Sequence, residues 1–453
     1  MPGLENIVEL LSDSFSPAIN LPTSNTKIHY SALRHSFQQL SKTPPFCNLE
    51  AKDVVLIALS NTDSIDFIAI LAALNMRAVV NPVDDIFINP QQLLQHISDI
   101  SPKLVICSAQ NPKFEWFLEA SNSKNIPFFS IQIQMHLQSL QIPKIVRKLS
   151  PVVTNQMSNI RPICSMIRVG RNSSLDGHPK REREIVKHDK HDIALLLLTK
   201  NKKKIVPLTH LNILESLELF SLSLSLNASD ITILLPIFNF STSSGLMILF
   251  SAFFSGSTVI ILPPNIKSRS IWPIIKNFRV TWLLANPDFH QRLLETYRNT
   301  DHSDNYYSRH STNNIMRFIL STGSKLDDDL LLKMEQKYQT QVLTCYTSTE
   351  AGFLIATHKP NSQRKLGSCG ISVLPILILG SDGVIAKQNV VGDILISGPT
   401  VAQSYYSVST SQNKEISFQG MRYLKTGDQG SLDERGFLTL QSEVKPHKIA
   451  SKL

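Results

Sequence analysis

The residues able to do chemistry lie in a few separated segments. One is Tyr346-Thr347-Ser348-Thr349-Glu350, which sets four hydroxyls and a carboxylate soon after a strand-like Val342-Leu343. Another is Thr426-Gly427-Asp428. A third is the basic run Lys200-Asn201-Lys202-Lys203-Lys204. Taken alone, Glu350 and Asp428 read as solvated loop acids. The lysines attract phosphate as mobile point charges, without the orientation of a backbone cradle. The last three residues, Ser451-Lys452-Leu453, form a tripeptide that a soluble peroxisomal import receptor reads, so the expected localisation is the peroxisome. The first 21 residues carry Glu5, Glu9 and Asp13 and no basic leader before an apolar run, which is unlike a secretory signal.

Composition narrows the remaining classes. A chain of 453 residues exceeds a single compact core and calls for two or three packed subdomains. Its 42% hydrophobic and 18% charged content is that of a globular protein. The five cysteines, Cys47, Cys107, Cys164, Cys345 and Cys369, have no metal-ligand spacing and read as scattered thiols. The net charge of +9 favours polyanions such as nucleotides, CoA or nucleic acid. Nucleic acid is not expected, because no aromatic platform, zinc spacing or basic helix accompanies the charge.

The elements that must position these residues follow from hydrophobic patterning. Val54 to Leu59, Ala78 to Pro82, Leu104 to Cys107 and Pro127 to Ile131 are short apolar runs of buried-strand length, and Phe67 to Leu74 is a helix between the first two. Strands alternating with helices predict a parallel α/β sheet. Ile231 to Pro263 is the most apolar region. Polar interruptions and Gly245 and Gly256 make it a buried strand–helix–strand and not a membrane span. The expected division is 1–190 for a first α/β subdomain with a basic linker near 142–190, 191–365 for a second α/β subdomain, 366–440 for a small β-rich subdomain, and 441–453 for a residual hinge and tail.

Several segments in one order then add up. Leu235-Pro236-Ile237-Phe238-Asn239, Val280-Thr281-Trp282 with Pro287 and His290, Tyr346 to Glu350, Gly392 to Pro399, and Tyr423 to Asp428 followed by Gly430 and Asp433 to Gly436 resemble the AMP-forming acyl-CoA synthetases. Within that adenylate-forming group, Trp272 to Leu294 is most similar to the peroxisomal CoA synthetases and oxalate–CoA ligases. The resemblance spans about Thr26 to Ile449. It implies the fold of the group's large N-terminal domain and a reaction in which a carboxylic acid attacks the α-phosphate of ATP, giving an acyl-adenylate that CoA opens. ATP or AMP, Mg²⁺ and CoA are the implied cofactors.

Carried over residue by residue, the resemblance makes Thr349 a hydroxyl for phosphate and Glu350 the acid that helps hold Mg²⁺. Asp428 accepts from the ribose hydroxyls, Tyr346 stacks near adenine, and Gly323 and Ser324 lie on the adenine-side loop. Thr199 and Lys204 flank the phosphate loop, and Phe238, Asn239 and Gly245 line the acyl pocket.

The departures point to impaired catalysis. Where the group has a glycine- and hydroxyl-rich phosphate loop, the sequence runs Thr199-Lys200-Asn201-Lys202-Lys203-Lys204-Ile205, with no glycine and no hydroxyl after Thr199. Asn239 stands where a histidine is usual, and Glu443 where a hinge arginine is usual. The sequence stops at Leu453, whereas the group continues into a smaller C-terminal domain bearing the catalytic lysine and much of the CoA face. The expectation is therefore a large domain alone, a truncated ligase paralogue. The alternative is a non-catalytic peroxisomal protein that binds nucleotide or a full-length synthetase.

Overall fold

The computed structural model describes residues 6–11, 14–22, 24–59, 67–84, 87–131, 189–199, 204–297, 316–406 and 415–441. The linker expected near 142–190 lies almost wholly outside these residues, as do Lys200 to Lys203, Glu443 and Ser451, Lys452 and Leu453.

Three sheets organise the described residues. The first has six strands in the order Phe128–Ile131, Leu104–Ser108, Val54–Ala58, Val79–Val83, Ile193–Leu198 and Ile205–Thr209. All neighbours pair parallel except the last two, which form an antiparallel hairpin. The parallel strands are buried almost throughout because helices cover both sides of the sheet, and their sequences are accordingly rich in Val, Leu and Ile and do not alternate with exposed polar residues. Helix Phe67–Asn75 is almost entirely buried, and its small Ala69, Ala72 and Ala73 let neighbouring layers close on it.

The second sheet has nine strands, in the order Ile371–Ser372, Leu354–Thr357, Gln341–Thr347, Phe318–Ser321, Trp282–Ala285, Ile231–Leu234, Thr258–Ile261, Pro17–Leu21 and Thr26–His29. Its middle is parallel, from Gln341–Thr347 across to Pro17–Leu21. The third sheet is antiparallel and built from Ile376–Leu379, Gly392–Ile396, Met421–Leu432, Glu415–Phe418 and Leu438–Leu440.

Strands and helices alternate from Val54 to Ile131, as the patterning predicts. The sheets do not divide in sequence order. Ile193–Leu198 and Ile205–Thr209 complete the first sheet, whereas Pro17–Leu21 and Thr26–His29 belong to the second. Sequence order hides this, because hydrophobic periodicity identifies a strand but not its neighbour. Pairing is instead decided by long-range contacts such as Ile19 opposite Val259.

The apolar stretch from Ile231 folds as strand Ile231–Leu234, helix Ser243–Ser255 and strand Thr258–Ile261. Thr242 caps the helix by accepting from the Gly245 N–H, and Gly256 ends it in the left-handed region at φ 70°. Among the described residues no helix is long and apolar enough to cross a membrane. A polar knot fixes the outer end of this unit. Arg317 donates from Nη1 to both oxygens of buried Asp230, at 2.7 and 2.6 Å, and Thr281 Oγ1 donates to the same carboxylate at 2.7 Å.

Candidate active site

In a parallel sheet, ligand sites form outside the carboxyl ends of the strands, where loops diverge. The loops at that edge carry most of the residues singled out in the sequence. Asn239 follows strand Ile231–Leu234, and Thr322, Gly323 and Ser324 follow Phe318–Ser321. Thr349 and Glu350 follow Gln341–Thr347. In the six-stranded sheet, Asp84 follows Val79–Val83 and Thr199 follows Ile193–Leu198. The two edges meet directly, since the Asn239 carboxamide donates from Nδ2 to the Asp84 carboxylate.

Segment 346–350 is the hub. On one side the Tyr346 hydroxyl donates to Asp428 Oδ2 at 2.6 Å, across 82 residues of sequence. The Tyr346 ring is buried while Asp428 is exposed. Burial, reinforced by the Asp428 charge, raises the pKa of this phenol, so it stays protonated and available as a donor. On a second side, Thr349 is buried and its Oγ1 lies 3.4 Å from Ser243 Oγ, in the first turn of helix Ser243–Ser255. On a third, Thr347 Oγ1 lies 2.8 Å from Thr322 Oγ1, joining the hub to the loop that carries Gly323 and Ser324. Gly323 has φ 90°, a left-handed conformation that suits glycine, and Ser324 is exposed.

Glu350 is half-buried and receives one neutral hydroxyl on each oxygen. Tyr405 donates to Oε1 at 3.0 Å and Ser348 to Oε2 at 3.1 Å. Among the described residues it has no ion-pair partner, and no group of three or more His, Cys, Asp or Glu that could hold a metal is present. This donor set suits Mg²⁺ arriving on a nucleotide. That ion keeps most of its waters and needs one or two carboxylates beside the phosphate oxygens. A protein-built metal cage does not fit.

The remaining sequence-derived residues have defined places. The Thr199 N–H donates to the Lys204 carbonyl at 3.0 Å, extending the antiparallel pairing of Ile193–Leu198 with Ile205–Thr209. Lys204 Nζ sits 4.0 Å from the centroid of the Tyr405 ring. Phe238 is half-buried against the main core. Gly245 is buried, and a Cβ on it would lie 1.9 Å from the Asn239 carbonyl oxygen. Its requirement is thus close backbone approach, which keeps the Asn239 loop pressed on the helix start.

Four site residues escaped the sequence reading, Thr322 among them. Ser243 and Asp84 carry no motif signal. Tyr405 is one of an adjacent tyrosine pair, and nothing in its spacing announces a contact with Glu350, 55 residues away.

The family model for AMP-binding enzymes matches residues 16–406, and the chain belongs to that family. Its likeness to acid–CoA ligases places it with the adenylate-forming acyl-CoA synthetase group. The oxalate–CoA ligase of Arabidopsis thaliana is 25% identical over 458 residues, covering 98% of this chain and 78% of that protein. Among solved structures, apo MatB from Rhodopseudomonas palustris superposes with a TM-score of 0.74 at 19% identity, over 98% of this chain and 79% of that one. The O-succinylbenzoate–CoA synthetase of Bacillus subtilis in complex with AMP gives 0.71 at 18% identity, over 97% and 78%. These structures share the α/β fold of the group.

Proposed function

We propose that the protein binds ATP and AMP at the 346–350 hub and activates a carboxylic acid as its acyl-adenylate for transfer to CoA, at a rate well below that of ordinary members of the group. The observation that carries this reading is convergence. Asp428, Ser243 and the Thr322–Ser324 loop are far apart in sequence, yet all three are tied to the one five-residue segment that also carries Thr349 and Glu350.

The assignments follow from the groups present. Asp428 is exposed, held by Tyr346, and suited to accept from vicinal ribose hydroxyls. Thr349 and Ser243 offer hydroxyls to an anion near a helix N-terminus, whose backbone dipole favours negative charge. Glu350 would take one coordination position of Mg²⁺, which when bound neutralises phosphate charge. The low rate follows from the phosphate loop. Lys200 to Lys204 supply charge, but no glycine for close approach and no hydroxyl for orientation. Loss of a single oriented donor costs roughly 10²- to 10³-fold in rate.

Two measurements test this. Calorimetric titration with AMP and with Mg·ATP is expected to give saturable heat, and absence of heat with both ends the nucleotide reading. Pyrophosphate release with short, aromatic, fatty and dicarboxylic acids is expected to fall at least about 100-fold below an active acid–CoA ligase run in parallel. Release at that ligase's rate refutes the impairment. The tripeptide Ser451-Lys452-Leu453 supports delivery to peroxisomes. A fluorescent protein fused ahead of Met1 tests this, with and without those three residues.

A further inference from the structure

Tyr405 occupies a junction that the motif reading leaves unassigned. Its hydroxyl donates to Glu350 Oε1 at 3.0 Å, and the Ala402 N–H donates to the Glu350 carbonyl at 2.9 Å. Segment 402–406 therefore grips Glu350 by both side chain and backbone. The same segment grips the phosphate-side hairpin. The Tyr406 N–H donates to the Ile205 carbonyl at 2.8 Å, and the Lys204 ammonium sits over the Tyr405 ring at 4.0 Å. One aromatic side chain thus touches both the lysine nearest the phosphate loop and the acid nearest the metal position.

We infer that Tyr405 is a positioning residue that fixes the Glu350 carboxylate for nucleotide-borne Mg²⁺ and seats Lys204 beside it. This rests on the nucleotide-binding reading above. With Tyr405 on Oε1 and Ser348 on Oε2, the carboxylate is held at both oxygens by neutral donors. Neutral donors orient it without neutralising it, so its charge stays available to a cation. A lysine in place of either hydroxyl would have paired with the acid and competed with the metal. Placing the Lys204 ammonium on an aromatic face keeps that cation near the site without an ion pair to Glu350. Burial and the neighbouring Glu350 charge both raise the phenol's pKa, so it remains a donor across the neutral range.

The test compares Mg·ATP with metal-free AMP by calorimetry on the full chain, for the wild type, Tyr405→Phe and Lys204→Met. Phenylalanine keeps the ring and the Lys204 seat while removing only the hydroxyl. Tyr405→Phe is expected to weaken Mg·ATP roughly five- to tenfold, the scale of one hydrogen bond to a partly exposed charged group, while AMP in EDTA stays within about twofold. Lys204→Met, a second variant that keeps the length of the side chain and removes its charge, is expected to weaken Mg·ATP roughly two- to fivefold and to leave AMP alone. Equal loss for both ligands in Tyr405→Phe reduces the residue to a structural prop and overturns the inference. So does unchanged Mg·ATP binding in both variants. Failure of the wild type to bind either nucleotide removes the reading underneath instead.

Discussion

Replacing Gly245 by alanine isolates the close approach on which the site's inner wall depends. Helix propensity alone favours alanine by up to about 1 kcal/mol. The structure reverses that sign. The new Cβ would stand 1.9 Å from the Asn239 carbonyl oxygen and 2.6 Å from its carbon, both backbone atoms that cannot swing aside. An ordinary carbon–oxygen contact needs about 3.3 Å, so the Asn239 loop and the helix start must separate by more than 1 Å. The contacts at risk are named. Thr242 donates to the Asn239 carbonyl from its hydroxyl at 2.8 Å and from its N–H at 3.2 Å. Overpacking costs about 1–3 kcal/mol, and a backbone clash at 1.9 Å falls at the upper end, so a net destabilisation of about 2 kcal/mol remains after the propensity gain. Urea unfolding measures it, with Ser244→Ala on the same turn as a control expected within about 0.5 kcal/mol of wild type. A Gly245→Ala protein as stable as wild type would refute the steric argument and mean that the loop is not pressed on the helix.

Three further outcomes are expected. Tyr346→Phe keeps the ring but frees Asp428, and AMP affinity should fall about fivefold, the scale of one net hydrogen bond. Asp428→Asn combined with it should lose less than the sum of the two single losses, since both act through one contact. Arg317→Met leaves the buried Asp230 carboxylate without its cation and should cost about 3 kcal/mol, with Asp230→Asn in the same chain recovering part of it in urea melts. Burial lowers the pKa of His96 and of His290 to about 4, from an unfolded value of 6.5. The unfolded chain therefore binds protons first as pH falls. Stability should be full above about pH 6.5 and fall towards pH 4, by up to about 1.4 kcal/mol per pH unit for each histidine. His290→Gln should flatten that slope, and an unchanged slope would exclude His290 as a source.

The strands and the strand–helix–strand from Ile231 were legible in the sequence because runs such as Val54 to Leu59 have one burial solution. The motif residues were legible because their order is specific even where each triplet is common. The partition of strands between sheets was not legible, since Pro17–Leu21 finds its neighbour 240 residues on, and no local signal records that choice. Within the site, Tyr346 and Asp428 were each identifiable, but the bond joining them was not. The contacts of Tyr405, Asp84 and Ser243 are products of chain crossing. Gly245 was read as part of a pocket wall, and only coordinates reveal how much of its need is the backbone oxygen beneath it.

The placement of Pro17–Leu21 between Thr258–Ile261 and Thr26–His29 also sets a schedule for synthesis. At about 5–20 residues per second, a ribosome takes roughly 12 to 48 s to make Val259 after Ile19. Throughout that interval an early strand of buried apolar residues has its antiparallel companion Thr26–His29 but not its parallel one. One edge stays open for as long as the six-stranded sheet and the next helices are being made. A nascent chain of this topology gives chaperones a defined period in which to act, and it closes when the strand after Gly256 emerges.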